Sequence, residues 1–257
     1  MSLALTAGLW GLLGASSLIA GAAVAFLLKM PRTVAAGIMS FGCGVLISAV
    51  AYDLLEDGFH EGGIWPIVGG ALAGSVSYAV ADRIVSQQGG HCRKRSGNEQ
   101  RNAGEGGGLA IAIGSLLDGI PESVVLGLGL LSGQGVSIAM LSAIFLSNFP
   151  EGLSSALGMR SAGRSAGYIF GLWSAIAVLS GLASAAGAAF LGGAPPGIVG
   201  TVDAVAAGAL LTMVVNTMIP EAVEGDRNSR EYWSFPDSWW PLPFPTVLVR
   251  PIELRKW

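Results

Sequence analysis

The chain has 257 residues, 52% hydrophobic and 12% charged, with 39 glycines, a mean hydropathy of +0.61 and a formal net charge of -3. That is too little charged surface for a soluble domain of this length. Nothing in the charge distribution resembles a nucleic-acid footprint, so nucleic acid is excluded as a partner.

Seven apolar runs follow one another, at about residues 5–28, 34–52, 64–81, 109–131, 136–159, 166–191 and 199–220. Each is close to the ~20 residues that cross ~30 Å of hydrocarbon as a helix. Backbone in lipid must satisfy its own hydrogen bonds, so the expected fold is all-α: a polytopic bundle of seven transmembrane helices in one domain over residues 1–225. Richness in Gly, Ala and Ser suits close helix packing. The first run lacks the basic flank of a secretory signal and is longer than such a signal's apolar core, so it reads as a retained helix.

All 14 Lys and Arg residues follow odd-numbered runs: Lys29 and Arg32 the first, five between Arg83 and Arg101 the third, Arg160 and Arg164 the fifth, and the last five the seventh. The loops after the second, fourth and sixth runs carry none, which places the N-terminus outside by the positive-inside rule. The acidic "DLLEDGFHEGG" after the second run then faces outward. There Asp53, Glu56 and Asp57 either gather cations or stand as ordinary solvated acids at a helix end, and His60 reads as a solvated loop histidine. Cys43 in the second run and Cys92 in the basic loop fall at different levels and form no disulfide framework.

The fourth and fifth runs carry the chemistry. "SLLDGIPES" contains Asp118, Pro121 and Glu122, and "IFLSNFPEG" contains Ser147, Asn148, Pro150 and Glu151. An acid at the centre of a membrane helix costs roughly 2.5–3.5 kcal/mol on an insertion scale, so such residues mark an ion or substrate path. Asp118 and Glu122 are four apart and share a helix face, as do Ser147 and Glu151, with Asn148 close beside them. Each proline lacks the N–H that would bond four residues back, which frees the carbonyls of Leu117 and Leu146 and predicts a bend or break in both helices. Two such helices facing one another could surround a cation with oxygen atoms.

These paired Pro-Glu helices resemble the fourth and fifth helices of the ZIP (Zrt/Irt-like) divalent-metal transporters, whose pattern is His-Asn-x-Pro-Glu-Gly or near it. The resemblance extends to "FGCGVLISAVAYDLLED", "GLWSAIAVLSGLASAAG" and "AAGALLTMVVNTMIPEA" and covers most of residues 5–225. It implies a metal site midway through the membrane and movement of the cation toward the cytoplasm. Glu122, Asn148 and Glu151 match the family pattern, whereas Asp118 and Ser147 stand in place of histidines and Gly119 in place of an asparagine. Ser184 falls where many members carry a glutamate that completes a second metal position, so a two-metal centre is not expected. The resemblance favours zinc; the oxygen-rich set leans toward Mn or Fe, and Cd is a further candidate.

The metal-handling residues expected are therefore Asp118, Glu122, Ser147, Asn148 and Glu151 at the centre, Asp53 and Glu56 at the outer mouth, and Glu221 at the exit. Asn216 either lines the path or bonds a neighbouring helix, and Asp203 reads as structural. No resident cofactor and no covalent catalysis are expected. The cation and the lipid bilayer are the partners, with a homodimer left open, and a bacterial cytoplasmic membrane is the expected location. Residues 226–257 form a Pro- and Trp-rich tail in place of the family's eighth helix, which leaves a non-transporting metal sensor or a defective transporter as the alternative. A remoter alternative, an intramembrane aspartyl protease using Asp53 and Asp118, would leave both Pro-Glu pairs unused.

Overall fold

The computed structural model describes residues 2–28, 31–87, 107–131 and 135–223, and every regular element among them is helical. Helix α1 spans Leu3–Leu27. Helix α2, Arg32–Ala49, passes through a π-helical turn at Val50–Leu54 into α3, Leu55–Gly62. Then come α4 (Ile64–Gln87), α5 (Gly107–Leu128), α6 (Ile138–Ser161) and α7 (Ala166–Leu191). Helix α8, Pro196–Met213, ends in a second π-helical turn, Val214–Met218. Each apolar run of the sequence thus falls on one helical stretch. Five of these are long and apolar enough to cross a membrane: Leu3–Leu27, Thr33–Gly62, Ile64–Gln87, Ala166–Leu191 and Pro196–Val223. Helices α5 and α6 are not among the five. The chain is thereby an integral membrane protein by the length and composition of its helices. The basic residues from Arg93 to Arg101, Cys92 and the tail lie outside the described residues.

Local chemistry sets the ends of several helices. The hydroxyls of Ser2, Ser137 and Ser165 accept the backbone N–H groups of Leu5, Met140 and Tyr168, which caps α1, α6 and α7. Between α3 and α4 the chain turns at Gly63 with φ +79°, a left-handed conformation that glycine adopts without steric cost.

The prolines do not break their helices, contrary to expectation. Both α5 and α6 run on through Pro121 and Pro150. Losing one N–H removes a single bond from the ladder, and packing holds the turn: a Cβ at Gly42 would lie 3.0 Å from the Leu146 carbonyl, so α2 covers the group that Pro150 frees. Irregular turns sit at Val50–Leu54, which no proline signals, and at Val214–Met218, where Pro220 frees the Asn216 carbonyl.

Helix α1 packs between α6 and α7, α5 lies on α7 and α8, α2 lies on α6, and α4 packs along α8. Small residues allow these approaches. The backbone of α6 at Gly152 touches the Leu18 carbonyl, and that of α1 at Gly21 touches the Phe149 carbonyl, so the two helices cross beside Pro150. Gly74 against Val205 and Gly208 against Ala71 do the same for α4 and α8, joined there by a hydrogen bond from Ser75 to the Gly208 carbonyl at 3.1 Å.

Charge separates to the two ends of the bundle. At the C-terminal end of α6, Arg160 donates to the Ala25 carbonyl at 3.1 Å and lies over the Phe26 ring, while Arg164 lies over Tyr168. At the N-terminal end of α6, Ser137 donates to Asp53, and the carboxylates gather around it.

Candidate metal centre

Asp118, Glu122, Ser147, Asn148 and Glu151 are each no more than 5% exposed. The face predicted from the four-residue spacing is the face that α5 and α6 turn inward. One contact joins the two helices directly: the Ser147 hydroxyl donates to Glu122 Oε1 at 3.3 Å and shares its proton with the Ile144 carbonyl at 3.0 Å. Asp118 is held from a third helix, because the buried Tyr78 hydroxyl of α4 donates to Asp118 Oδ1.

The centre as it stands is open. Among the described residues no three His, Cys, Asp or Glu side chains converge to hold a metal ion. A cation here would have to combine the carboxylates with the Ser147 hydroxyl and the Asn148 amide oxygen, a hard, all-oxygen set. The buried hydroxyls of Ser115 and Ser155 extend the polar faces of α5 and α6 by one turn beyond Asp118 and Glu151.

Two departures from the family pattern have local reasons. Gly119 faces α7, where a Cβ would lie 3.3 Å from the Ser180 hydroxyl, so a larger side chain displaces that neighbour. Ser184 is fully buried and donates to the Ala7 carbonyl at 2.8 Å, which ties α7 to α1. Its hydroxyl is engaged in helix packing. Ser184→Ala is expected to cost about 1 kcal/mol of stability and to leave cation affinity unchanged, which thermal unfolding and equilibrium dialysis together measure.

At the N-terminal end of α6, Asp53, Asp57, Glu61 and Asp203 line one cleft between α3, α5, α6 and α8, with a cavity of about 50 Å³. Glu56 is exposed and does not line this cleft, whereas Glu61 and Asp203, one not singled out from the sequence and the other read as structural, do. Spacing explains the set: 53, 57 and 61 recur every four residues and share a face, and 56 does not. The cleft floor is apolar, built from Val125, Leu126 and Met140. Leu126 lies one turn above Glu122 on α5, so this floor separates the outer acids from the buried ones.

Glu221 is half-buried beyond the second π-helical turn, and Asn216 within that turn is exposed. Cys43 is buried in α2, and Cys92 is outside the described residues.

Comparison of the chain with protein-family models and with curated proteins gives no match.

Proposed function

We propose that this protein is a ZIP-type membrane transporter that moves a divalent transition-metal cation toward the cytoplasm through seven membrane-spanning helices, with the N-terminus outside. The observation that carries the reading is the pairing of Glu122 with Ser147 across α5 and α6, in an interior that also holds Asp118, Asn148 and Glu151. Buried acids are costly in a membrane protein unless they handle a charged species. The arginines at one end and the acidic cleft at the other support the orientation, with the cleft around Asp53 outward and Arg160 and Arg164 toward the cytoplasm.

In this reading the outer carboxylates concentrate the cation. The apolar floor at Leu126 and Met140 parts when one helix group moves against the other, and the ion then exchanges water for the oxygens of Asp118, Glu122, Ser147, Asn148 and Glu151. Glu221 assists release. Zinc is the first candidate by resemblance and Mn or Fe by ligand hardness, with Cd a further candidate.

Carboxylates bind a metal only when deprotonated, so uptake is expected to fall as external pH is lowered through the carboxylate range. Proteoliposomes containing the wild-type chain test both points. Saturable accumulation of at least one of Zn, Mn, Fe or Cd, declining with acidification, is the expected result. Accumulation equal to that in protein-free vesicles for all four defeats the transport reading, and binding without accumulation assigns the chain as a metal sensor.

A further inference from the structure

Tyr78 is the only aromatic residue on the inward face of α4, where it follows Gly70 and Gly74 at intervals of four. Leu72, Val76, Val80 and Ile84 of the same helix are by contrast more than half exposed. A phenol is costly to bury unless its hydroxyl finds a partner. Tyr78 is 3% exposed, and its hydroxyl reaches across to Asp118 Oδ1 on α5.

From this contact we infer that Tyr78 is a positioning residue that determines which cations the centre accepts. The inference rests on the reading of the α5/α6 centre as a cation site. Asp118 has two carboxylate oxygens, and the phenol engages Oδ1. A cation that chelates both oxygens of Asp118 must therefore share Oδ1 with the phenol, which weakens two-oxygen chelation relative to one-oxygen ligation. One-oxygen carboxylate ligation suits a small ion of low coordination number, such as tetrahedral Zn. Two-oxygen chelation fills the larger shells that hard cations such as Mn take from carboxylates. Partners of this kind also fix the direction of the ligand they hold, and their removal costs 10–100-fold in metal affinity or activity as a rule of thumb.

The placement gives the contact a second consequence. Helix α4 is joined to α8 through the Gly74 and Gly208 approaches and the Ser75 hydrogen bond, whereas α5 packs chiefly on α7 and less closely on α8 and α1. Tyr78 thus lets the α4/α8 pair set the direction of a ligand carried by the other helices. Movement of one group against the other alters Asp118 without any change within α5.

Tyr78→Phe keeps the ring and removes only the hydroxyl. Binding of Zn and Mn to the purified full chain in micelles, measured by equilibrium dialysis, reads the effect. Zn affinity is expected to fall about tenfold and Mn affinity by less, so the Mn-to-Zn affinity ratio rises. Asp118→Asn is expected to cost less in the Tyr78→Phe background than in the wild type, because the two side chains act as a unit. A purely structural role predicts a change in thermal unfolding with the ratio unmoved. Wild-type binding together with an unchanged ratio and additive variants overturns the role of Tyr78 and leaves the cation site standing. Absence of Zn and Mn binding by the wild type overturns the site itself, and this inference with it.

Discussion

Glu122→Gln combined with Glu151→Gln is expected to weaken divalent-cation binding by roughly a hundredfold or more while leaving the protein folded and at least as heat-stable as the wild type. Glutamine matches glutamate in shape, so the interior of α5 and α6 keeps its packing. What disappears is two negative charges. Interactions with charged partners are worth roughly 1.5–3 kcal/mol each, and two of them exceed the ~2.8 kcal/mol that corresponds to a hundredfold in affinity. The effect on stability has the opposite sign. Both carboxylates are no more than 3% exposed, and a neutral amide of the same shape brings no charge into the interior, where burying one is costly. Loss of binding at unchanged or raised thermal stability, followed by dialysis and thermal unfolding on the same samples, identifies the glutamates as ligands. Loss of both together identifies them as structural.

Gly152→Ala is expected to disrupt the bundle, although it adds a single methyl group. At Gly152 the new Cβ falls on the Leu18 carbonyl of α1, and neither partner at that crossing is a flexible side chain that can move aside. The reciprocal approach at Gly21 lies about one turn away, so separating the helices at one point opens both. Overpacking of a core typically costs about 1–3 kcal/mol, and occasionally more; a backbone-to-backbone collision belongs at or above the top of that range. Gly44→Ala supplies the contrast, since a Cβ there meets nothing within 4 Å. Removing a helical glycine at an open position stabilises by about 0.5–1 kcal/mol. Thermal unfolding of the two variants in micelles is expected to move in opposite directions. A Gly152→Ala protein as stable as the wild type contradicts the close crossing of α1 and α6.

The inward face of α5 and α6 was legible because helical geometry fixes it. Residues four apart must lie together, so Asp118 with Glu122 and Ser147 with Glu151 had to share a surface, and their cost in lipid made that surface an interior one. Other features were hidden by the same local reasoning. Proline was read as a breaker, but α6 absorbs Pro150 because Gly42 of α2 lies over the freed carbonyl, a tertiary fact no window on α6 contains. The π-helical turn at Val50–Leu54 has no proline and no glycine to mark it. Tyr78 was missed for want of a neighbouring charge in the sequence, since its partner is 40 residues away. Its signal was nonetheless present: Gly70, Gly74 and Tyr78 form one stripe at four-residue spacing, and a polar-tipped ring on a packing stripe needs a partner. Glu61 and Asp203 were underrated for a similar reason. Their proximity to Asp53 and Asp57 depends on how α3 meets α8, where Gly58 and Gly200 bring the two backbones together.

Passage of a cation between α5 and α6, through the oxygens of these buried residues, is the core of the proposed function. Its most direct test is cation flux into proteoliposomes that carry equal amounts of wild-type protein or of the Glu122→Ala, Glu151→Ala double variant, with Zn, Mn, Fe and Cd compared. Flux in the wild type that disappears in the double variant is the predicted result; equal flux in the two contradicts passage through this centre.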